Sequence, residues 1–404
     1  MNEDFAAAMR RALQHVRTQD VMAATGIIQA VLAGHAPVDR EFAKPPVDIT
    51  PPQDSAPARQ RLTAPKVNID QCAHGKEKVA QRGMTSPSRQ RHPLGDVVRT
   101  LQTLRKSLRV RPHVTPSLPD LPAGAQFLAR TYRCSAGERT YKLYIPSGLS
   151  GQPSGLIVML HGCTQDPDDF AIGTNMNAHA ETHRLLIAYP AQSRRENISS
   201  CWNWFRPEDQ QRGAGEPAIL AGLTRSIAEE FDLEAERIFI AGFSAGGAMT
   251  SVMLATYPEL YAAGCIHSGL AYKSANDVVT ALAAMRGQSD RRGVAAPVST
   301  ASGGRKIIFH GSQDPIVHPS NAESIFAAAQ AGEPENQLHR KRMSDGRGAR
   351  RSVVVTPQGE TIAEYWLIDG AGHAWSGGRS GGSYTDPGGP DASAEMIRFF
   401  LDRT

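Results

Sequence analysis

The sequence predicts an α/β fold in which a mostly parallel sheet is covered by helices on both faces. Short strand-like runs alternate with helix-compatible stretches through the C-terminal part of the chain, as in parallel strands joined by crossover helices. The run 156–160 is apolar at every position, which is typical of a strand buried on both faces. The run 238–241 leads through a glycine-rich turn into a helix-compatible segment, a second sign of an α/β unit.

The individual elements follow from these patterns. Strand-like runs are expected at 127–134, 139–145, 156–160, 185–189, 238–241, 262–267, 306–310, 353–355 and 361–368. Helices are expected at 168–183, 216–231, 245–257, 320–331 and 391–401. Residues 135–138 and 357–359 carry turn signals, so the first two strands and the last two are expected to form hairpins.

Composition and charge set limits on the class of protein. The 404 residues can hold one large domain with extensions, or two domains, and the 40% hydrophobic and 21% charged fractions are ordinary. A net charge of +4 does not suggest a nucleic-acid partner, and no apolar run approaches the ~20 residues needed to span a bilayer. Residues 1–5 lack the layout of a secretory signal, and five cysteines argue against a fully paired framework. We therefore expect a cytoplasmic protein with reduced thiols.

The segment before the α/β domain is expected to be partly helical and partly disordered. Residues 1–34 carry two short amphipathic stripes, so two helices are expected to pack on the main domain, on a partner, or on each other in a homo-oligomer. Residues 35–93 have the composition of a disordered linker. Residues 94–125 predict a helix with a solvated basic face and a connector. The α/β domain is expected to span 126–404.

The turn 242–246 reads Gly-Phe-Ser-Ala-Gly and predicts a nucleophilic serine at Ser244. A G-x-S-x-G turn between a strand and a helix lifts the serine hydroxyl clear of the sheet, where a base can reach it. The small residues suit a place where the strand and helix backbones pass too close for side chains. The pattern alone is weak, but the strand before it and the helix after it provide the required context.

The base and the acid are expected at the ends of two later strands. Ser244, Asp314 and His373 each follow a strand-like run, and functional residues gather at the carboxyl ends of parallel strands. Their order along the chain is that of the α/β-hydrolase triad. In such a triad a histidine takes the serine proton, and a carboxylate orients the histidine ring. Asp369 is the rival acid, but it lies too close in sequence to His373 to reach its ring easily.

Two backbone amides are expected to stabilise the charge that develops on an attacked carbonyl. The Ala245 amide directly follows the nucleophile, and the turn 161–165 after the strand at 156–160 supplies the Cys163 amide. His161 is expected to brace this turn. No second Cys or His pair accompanies Cys72 at ligand spacing, so no metal is predicted. No organic cofactor is implied either, because the triad supplies its own base and electrophile.

With these residues placed, the stretch from 129 to 400 resembles the polyhydroxybutyrate (PHB) depolymerase-like esterases of the α/β-hydrolase superfamily. The resemblance is carried by five motifs: HGCTQ at 161–165, SCWNW at 200–204, GFSAGG at 242–247, HSGLAY at 267–272 and GHAW at 372–375. It implies hydrolysis of carboxylic esters through an acyl-serine, with the triad and the Cys163 amide in the roles given above. It also allows an extracellular location and a disulfide between Cys163 and Cys201.

The substrate is less constrained by these motifs. Four aromatic residues near them could wall an acyl pocket, although each could equally be core packing: Trp202, Trp204, Tyr272 and Trp375. We expect neither the signal peptide nor the polymer-binding module of secreted polymer degraders, and this expectation favours short-chain, soluble or oligomeric hydroxyalkanoate-type esters. The open alternatives are an acyltransferase or peptidase on the same scaffold, a feruloyl or acetyl-xylan esterase, and a binding or granule-associated protein in which the N-terminal helices are the working part.

Overall fold

A computed structural model describes residues 121–288, 304–331, 336–343 and 346–402. The predicted N-terminal helices (1–34) and linker (35–93) lie outside the described residues, as do positions 94–120 of the predicted basic helix and connector. The described chain forms one large sheet with helices on both of its faces, which is the fold class that the sequence predicts.

The sheet contains ten strands, in the spatial order β1-β2-β4-β3-β5-β6-β7-β10-β9-β8. These strands are β1 (Gln126–Cys134), β2 (Gly137–Ile145), β3 (Gly155–Leu160), β4 (Leu185–Pro190), β5 (Ile238–Phe243), β6 (Ala263–His267), β7 (Arg305–Gly311), β8 (Gln337–Met343), β9 (Ala349–Val355) and β10 (Thr361–Ile368). The central six, from β4 to β10 in that order, are mutually parallel, and antiparallel strands flank them on either side. A separate pair of short strands, β11 (Trp375–Ser376) and β12 (Thr385–Asp386), lies in the loop after β10.

Seven helices in the described residues follow the strands. They are α1 (Pro167–Thr174), α2 (Met176–His183), α3 (Gly215–Glu230), α4 (Ala245–Thr256), α5 (Val278–Met285), α6 (Ser320–Gln330) and α7 (Ala392–Leu401). The alternation of side chains along β3 shows how the sheet divides the core. Leu156, Val158 and Leu160 pack with α3, α4 and α6, whereas Ile157 and Met159 pack with α1, α2 and α7 on the other face.

The structure corrects the predicted elements in two respects. The predicted helix at 168–183 is two helices, because Asn175 between them adopts a left-handed conformation with φ 56° that ends the first. The sequence analysis also did not predict the helix α5 or the strand β8. Strand β8 is polar at five of its seven positions and exposed at most of them, since it lies at the sheet edge and has little core to face.

A close backbone contact fixes α4 against the end of β3. An ideal Cβ built on Gly246 would lie closer than 3.0 Å to the carbonyl oxygens of Leu160 and His161. One built on Gly242 would lie equally close to the Gly246 backbone. Because the obstructing atoms are backbone, no side-chain rotation relieves the clash, and glycine is required at both positions.

We expect Gly246→Ala to destabilise the protein by about 1–3 kcal/mol, the usual cost of overpacking, because the added methyl group pushes α4 away from β3. Gly304→Ala is the matched control, since its nearest contact would be an ordinary 3.4 Å from the Tyr261 oxygen. Urea unfolding of the two variants measures the difference. Equal stability of both would contradict the assignment of this contact.

Candidate active site

Ser244 occupies a strained turn between β5 and α4. Its backbone adopts φ 56° and ψ −118°, a region that side chains rarely enter and that costs free energy. Two hydrogen bonds hold this conformation: the Ser244 amide donates to the His267 carbonyl at 2.9 Å, and the Ser244 carbonyl accepts from the Ala248 amide at 2.9 Å. The turn is thereby fixed on both sides, which presents the side chain at the carboxyl edge of the sheet.

Three predicted side chains meet at this edge in one hydrogen-bonded row. His373 Nε2 lies 2.9 Å from Ser244 Oγ, and His373 Nδ1 lies 2.7 Å from Asp314 Oδ2. The other Asp314 oxygen accepts hydrogen bonds from the Ile316 and Val317 amides, both at 2.9 Å. These bonds fix the carboxylate, so the imidazole is oriented with Nδ1 toward Asp314 and with Nε2 free to accept the serine proton.

The electrostatics keep Asp314 ionised. Burial raises its pKa, but hydrogen bonds from His310 and His373 outweigh burial and hold the pKa below its ordinary value. His310 Nε2 lies 3.4 Å from Asp314 Oδ2, the oxygen that also faces His373, and 2.8 Å from the Val317 carbonyl oxygen. Because the carboxylate remains charged at neutral pH, it can stabilise an imidazolium formed at His373.

Asp369 does not contact the imidazole. Its carboxylate pairs with Arg342 at 3.1 Å and faces Arg350 at 4.0 Å, on the side of the antiparallel strands. The structure therefore brings Asp314, and not the rival Asp369, to His373.

Backbone contacts lock the loops that carry Asp314 and His373 to one another. The Ser312 amide donates to the Ile368 carbonyl at 2.9 Å, and the Gln313 amide donates to the Ala371 carbonyl at 3.0 Å. The Gly370 amide donates in return to Ser312 Oγ at 2.8 Å. The two loops thus form one unit, and the distance between the acid and the base depends little on side-chain flexibility.

The turn after β3 carries the predicted Cys163 amide. The Gln165 amide closes it on the Gly162 carbonyl at 3.3 Å, and Thr164 has a positive φ of 65°. Neither the Cys163 amide nor the Ala245 amide donates a hydrogen bond within the described part of the chain. The close contact of Gly246 with the β3 end makes these two segments neighbours. Two amides with unused donors therefore lie on adjacent backbone segments beside Ser244.

Cys163 is joined to Cys201 by a disulfide. The resemblance allowed this bridge, and the expectation that all thiols are reduced is wrong for this pair. Cys134 and Cys265 are free.

His161 braces the turn, as expected. Its Nδ1 donates to the Gly162 carbonyl at 2.7 Å, and its Nε2 accepts from the Gln192 amide at 3.1 Å. Burial lowers the His161 pKa, so the ring stays neutral and keeps both of these bonds.

The four predicted aromatic residues have different surroundings. Trp202 and Trp375 are fully buried, and their indole N–H groups donate to the His161 carbonyl and to Ser393 Oγ, both at 3.0 Å. Both indoles therefore pack in the interior and offer no surface to a substrate. Trp204 is also largely buried, whereas Tyr272 is half-buried and donates to the Gln210 carbonyl at 3.0 Å. A role as pocket wall stays a prediction for these last two residues.

Sequence reasoning missed Tyr384 and Phe243. The Tyr384 hydroxyl lies 3.2 Å from Thr164 Oγ1, so it reaches the turn that carries the Cys163 amide. The centroid of the Phe243 ring lies 4.8 Å from the centroid of the His373 ring and 6.2 Å from that of the Tyr384 ring. Tyr384 also has a positive φ of 52°, a conformation that often marks functional positions. Its surrounding glycine-rich loop carries no motif that would have identified it.

Comparison with known proteins identifies the family. The family model described as "Esterase PHB depolymerase" matches residues 139–360, which include Ser244 and Asp314. This match covers more than half of the chain. The chain belongs to the PHB depolymerase esterase family. The protein is therefore a carboxylic ester hydrolase, and the resemblance found in the sequence is confirmed.

Relatives of the esterase agree with this assignment. The chain is 28% identical to poly(3-hydroxyalkanoate) depolymerase C of Paucimonas lemoignei, over 70% of this chain and 68% of that protein. It is 31% identical to feruloyl esterase B of Neurospora crassa over 44% of this chain, and 30% identical to acetylxylan esterase A of Emericella nidulans over 45%. The matches span slightly less than two thirds of these two fungal proteins, 64% and 63%.

The fold of the esterase is also that of a solved structure. The acetyl xylan esterase from Aspergillus awamori matches 68% of this chain and 98% of its own, with a TM-score of 0.52 and 18% identity. This likeness confirms the predicted α/β-hydrolase fold.

The described residues lack two further features. They contain no helix long and apolar enough to cross a membrane. Within the same residues, no group of three or more His, Cys, Asp or Glu side chains is arranged to hold a metal ion.

We expect Asp314→Asn to lower kcat by about 10⁴-fold, because an amide in this position favours the wrong imidazole tautomer. Asp369→Asn is the matched control and should stay within about twofold of the wild type, since only an exposed ion pair is lost. Initial rates on p-nitrophenyl butyrate measure both variants. A larger loss for Asp369→Asn than for Asp314→Asn would reverse the assignment of the acid.

Proposed function

We propose that the protein hydrolyses carboxylic esters through an acyl-serine intermediate on Ser244, with His373 as general base and acid and Asp314 as the orienting carboxylate. The observation that carries the proposal is the continuous row from Ser244 Oγ through His373 to Asp314 Oδ2, with distances of 2.9 and 2.7 Å. A serine hydroxyl is a poor nucleophile at neutral pH and becomes effective when an oriented base accepts its proton.

In the first half of the reaction, Ser244 Oγ attacks the ester carbonyl while His373 Nε2 takes its proton. The tetrahedral intermediate collapses by breaking the bond to the alcohol oxygen, and the imidazolium returns the proton to the leaving alcohol. In the second half, water attacks the acyl-serine with the same histidine as base, and the acid and free Ser244 are released. Asp314 stays ionised and stabilises the imidazolium in both halves.

The Cys163 and Ala245 amides are the proposed oxyanion donors. Both have unused N–H groups in the described structure, and both lie on backbone that is fixed before the reaction begins. Donors held in place in this way stabilise the developing charge without a reorganisation cost, and one such donor is typically worth about 2.7–4 kcal/mol.

The substrate class proposed first is a short-chain or hydroxyalkanoate-type ester. The relative named poly(3-hydroxyalkanoate) depolymerase C supports it, because its match extends over 70% of this chain. A feruloyl or acetyl-xylan-type ester is the second candidate, supported by the relatives with those names. The triad does not separate a hydrolase from an acyltransferase or peptidase, because the pocket selects the acceptor and the leaving group.

We propose that the protein works where the Cys163–Cys201 disulfide persists. Disulfides are stable in oxidising compartments and rare in the cytosol, so the bridge favours the extracellular alternative over the cytoplasmic one. Alkylation of the native protein before and after reduction, read by mass spectrometry, distinguishes the two locations, and alkylation of Cys163 and Cys201 without prior reduction would favour the cytoplasm. A homo-oligomer formed through the predicted helices of residues 1–34 stays a proposal, because these residues lie outside the described part of the chain.

We expect Ser244→Ala to lower turnover of p-nitrophenyl butyrate by at least about 10⁴-fold, because the nucleophile is lost. The fold should persist, since within the described residues the Ser244 hydroxyl hydrogen-bonds to His373 alone. Ser251→Ala is the matched control: Ser251 is a buried serine on α4 whose hydroxyl donates to the Gly247 carbonyl at 3.4 Å. Full retained activity of a folded Ser244→Ala variant would refute the mechanism.

The same assay applied to a panel of esters tests the substrate class. The panel runs from acetate and butyrate esters through hydroxybutyrate oligomers to ferulate and acetyl esters of xylan, with water, alcohol and amine as acceptors. The highest kcat/KM is expected for butyrate or hydroxybutyrate esters with water as acceptor. A clear preference for ferulate or acetyl-xylan would favour the second candidate, and faster transfer to an amine or alcohol would identify a transferase.

A further inference from the structure

A buried polar cluster lies behind the turn that carries Cys163. It contains two carboxylates and one guanidinium, all almost completely buried, together with two amide side chains: Glu216, Asp209, Arg139, Gln192 and Asn203. None of these residues belongs to the row of Ser244, His373 and Asp314. Burying charged groups costs free energy, so a cluster of this kind calls for a structural or functional reason.

Glu216 is the centre of the cluster. Its carboxylate accepts hydrogen bonds from the Asn203 backbone N–H at 2.8 Å and from the Asn203 side-chain Nδ2 at 2.9 Å. It also accepts a hydrogen bond from Gln192 Nε2. Arg139 Nη2 lies 3.7 Å from the carboxylate. The Glu216 amide donates to Asp209 Oδ1 at 2.8 Å, which fixes the first turn of α3. Three N–H donors therefore converge on one carboxylate, and this set matches its ionised form.

Gln192 passes this constraint on to the active-site turn by two routes. Its backbone amide donates to His161 Nε2 at 3.1 Å, and His161 bonds in turn to the Gly162 carbonyl. Its side-chain amide donates to the Cys201 carbonyl at 2.9 Å, and Cys201 is bonded covalently to Cys163. Both routes end on a residue next to the Cys163 amide or on Cys163 itself.

Arg139 supplies a further link on the other side. Its guanidinium donates to Gln192 Oε1 and lies 5.4 Å from the Trp202 ring centroid. Trp202 donates to the His161 carbonyl at 3.0 Å. Gln192 and Trp202 thus hold His161 from both sides, and both are themselves held by charged groups.

We propose that Glu216 is a positioning residue for ester hydrolysis: its carboxylate, acting through Gln192, holds the turn 162–165 where the Cys163 amide can stabilise the oxyanion. This inference rests on the proposed function, in which the Cys163 amide is an oxyanion donor, and it adds a residue that never touches the substrate. A displacement of catalytic groups by about 1 Å can cost 10²-fold in rate, so the support behind the turn affects turnover.

The pKa of Glu216 supports a functional reason for the charge. Burial raises it, Asp209 adds to the rise, and the pKa reaches about 7 although Arg139 opposes the shift. The groups that face Glu216 are Arg139 from β2, Asp209 from the 207–210 turn, and the neutral amides of Gln192 and Asn203. A carboxyl whose folded pKa is raised stabilises the fold below its unfolded pKa, and this contribution is lost as pH rises through about 7. The ionised form therefore costs stability at neutral pH while it suits the donors that hold the turn.

The test is Glu216→Gln, which keeps the shape and removes the charge. We expect kcat to fall by about 10- to 100-fold with KM nearly unchanged, because the substrate still binds while the oxyanion is stabilised less well. Affinity for a butyl boronic acid, whose serine adduct is tetrahedral, should fall by the same factor as kcat. The wild-type to variant ratio of kcat should shrink as pH drops below about 7, because the wild-type carboxyl then also loses its charge. Over the same range, wild-type stability relative to the variant should increase.

Glu364→Gln is the matched control. Glu364 is an equally buried carboxylate that pairs with Arg351 at 2.6 Å and Arg398 at 2.7 Å, but no hydrogen bond or ion pair in the described part of the chain joins it to the turn 162–165. We expect this variant to lose thermal stability and to keep its kcat and its boronic acid affinity. If Glu216→Gln fails to fold, Gln192→Met tests the same connection with the carboxylate intact and should show the same loss in kcat.

Two results would overturn the inference. The first is a folded Glu216→Gln variant with wild-type kcat and wild-type boronic acid affinity. The second is an equal loss in kcat for Glu364→Gln, which would indicate a general effect of removing a buried charge. Failure of the proposed function itself is distinguishable, because it would appear as retained turnover in Ser244→Ala.

Discussion

The site depends on one place where backbone packs against backbone without side chains between. The first turn of α4 lies on the carboxyl end of β3, and the glycines at 242 and 246 make this approach possible. The contact bends the chain at Ser244 into a conformation with positive φ, and it brings the amide after the serine next to the turn that carries Cys163. The nucleophile and the surroundings of its reaction are thus set by the packing of a strand and a helix.

The elements that carry chemistry could be predicted because their signals are local. The strand before Ser244, the glycine-flanked turn and the helix after it lie within one short stretch, and the acid and base each follow a buried apolar strand. Parallel strands direct such loops to one edge of a sheet, so distant positions converge for topological reasons. The family motifs then favoured ester hydrolysis over the other reactions that such a triad supports.

What could not be predicted depends on contacts between segments far apart in the chain. Composition does not distinguish an indole that walls a pocket from one that fills the core, and Trp375 proved to stack on His267 with its centroid 4.9 Å away. Tyr384 reaches the site because its loop folds back across α1, which no periodicity records. The charged strand β8 lacks an apolar alternation because the edge of the sheet does not require one.

The composition of that edge has a consequence for how the molecule behaves when concentrated. Strand β8 is the last of the ten, and Arg340, Lys341 and Arg342 occupy consecutive exposed positions along it. In a register that pairs these residues, a second molecule that extended the sheet by antiparallel addition would place the Cβ atoms of its own three cationic residues about 5 Å from theirs, and like charges directly opposite repel. Coulomb repulsion therefore opposes the pairing of this edge strand with a second molecule. A more apolar edge strand would favour such pairing and fibril-like growth.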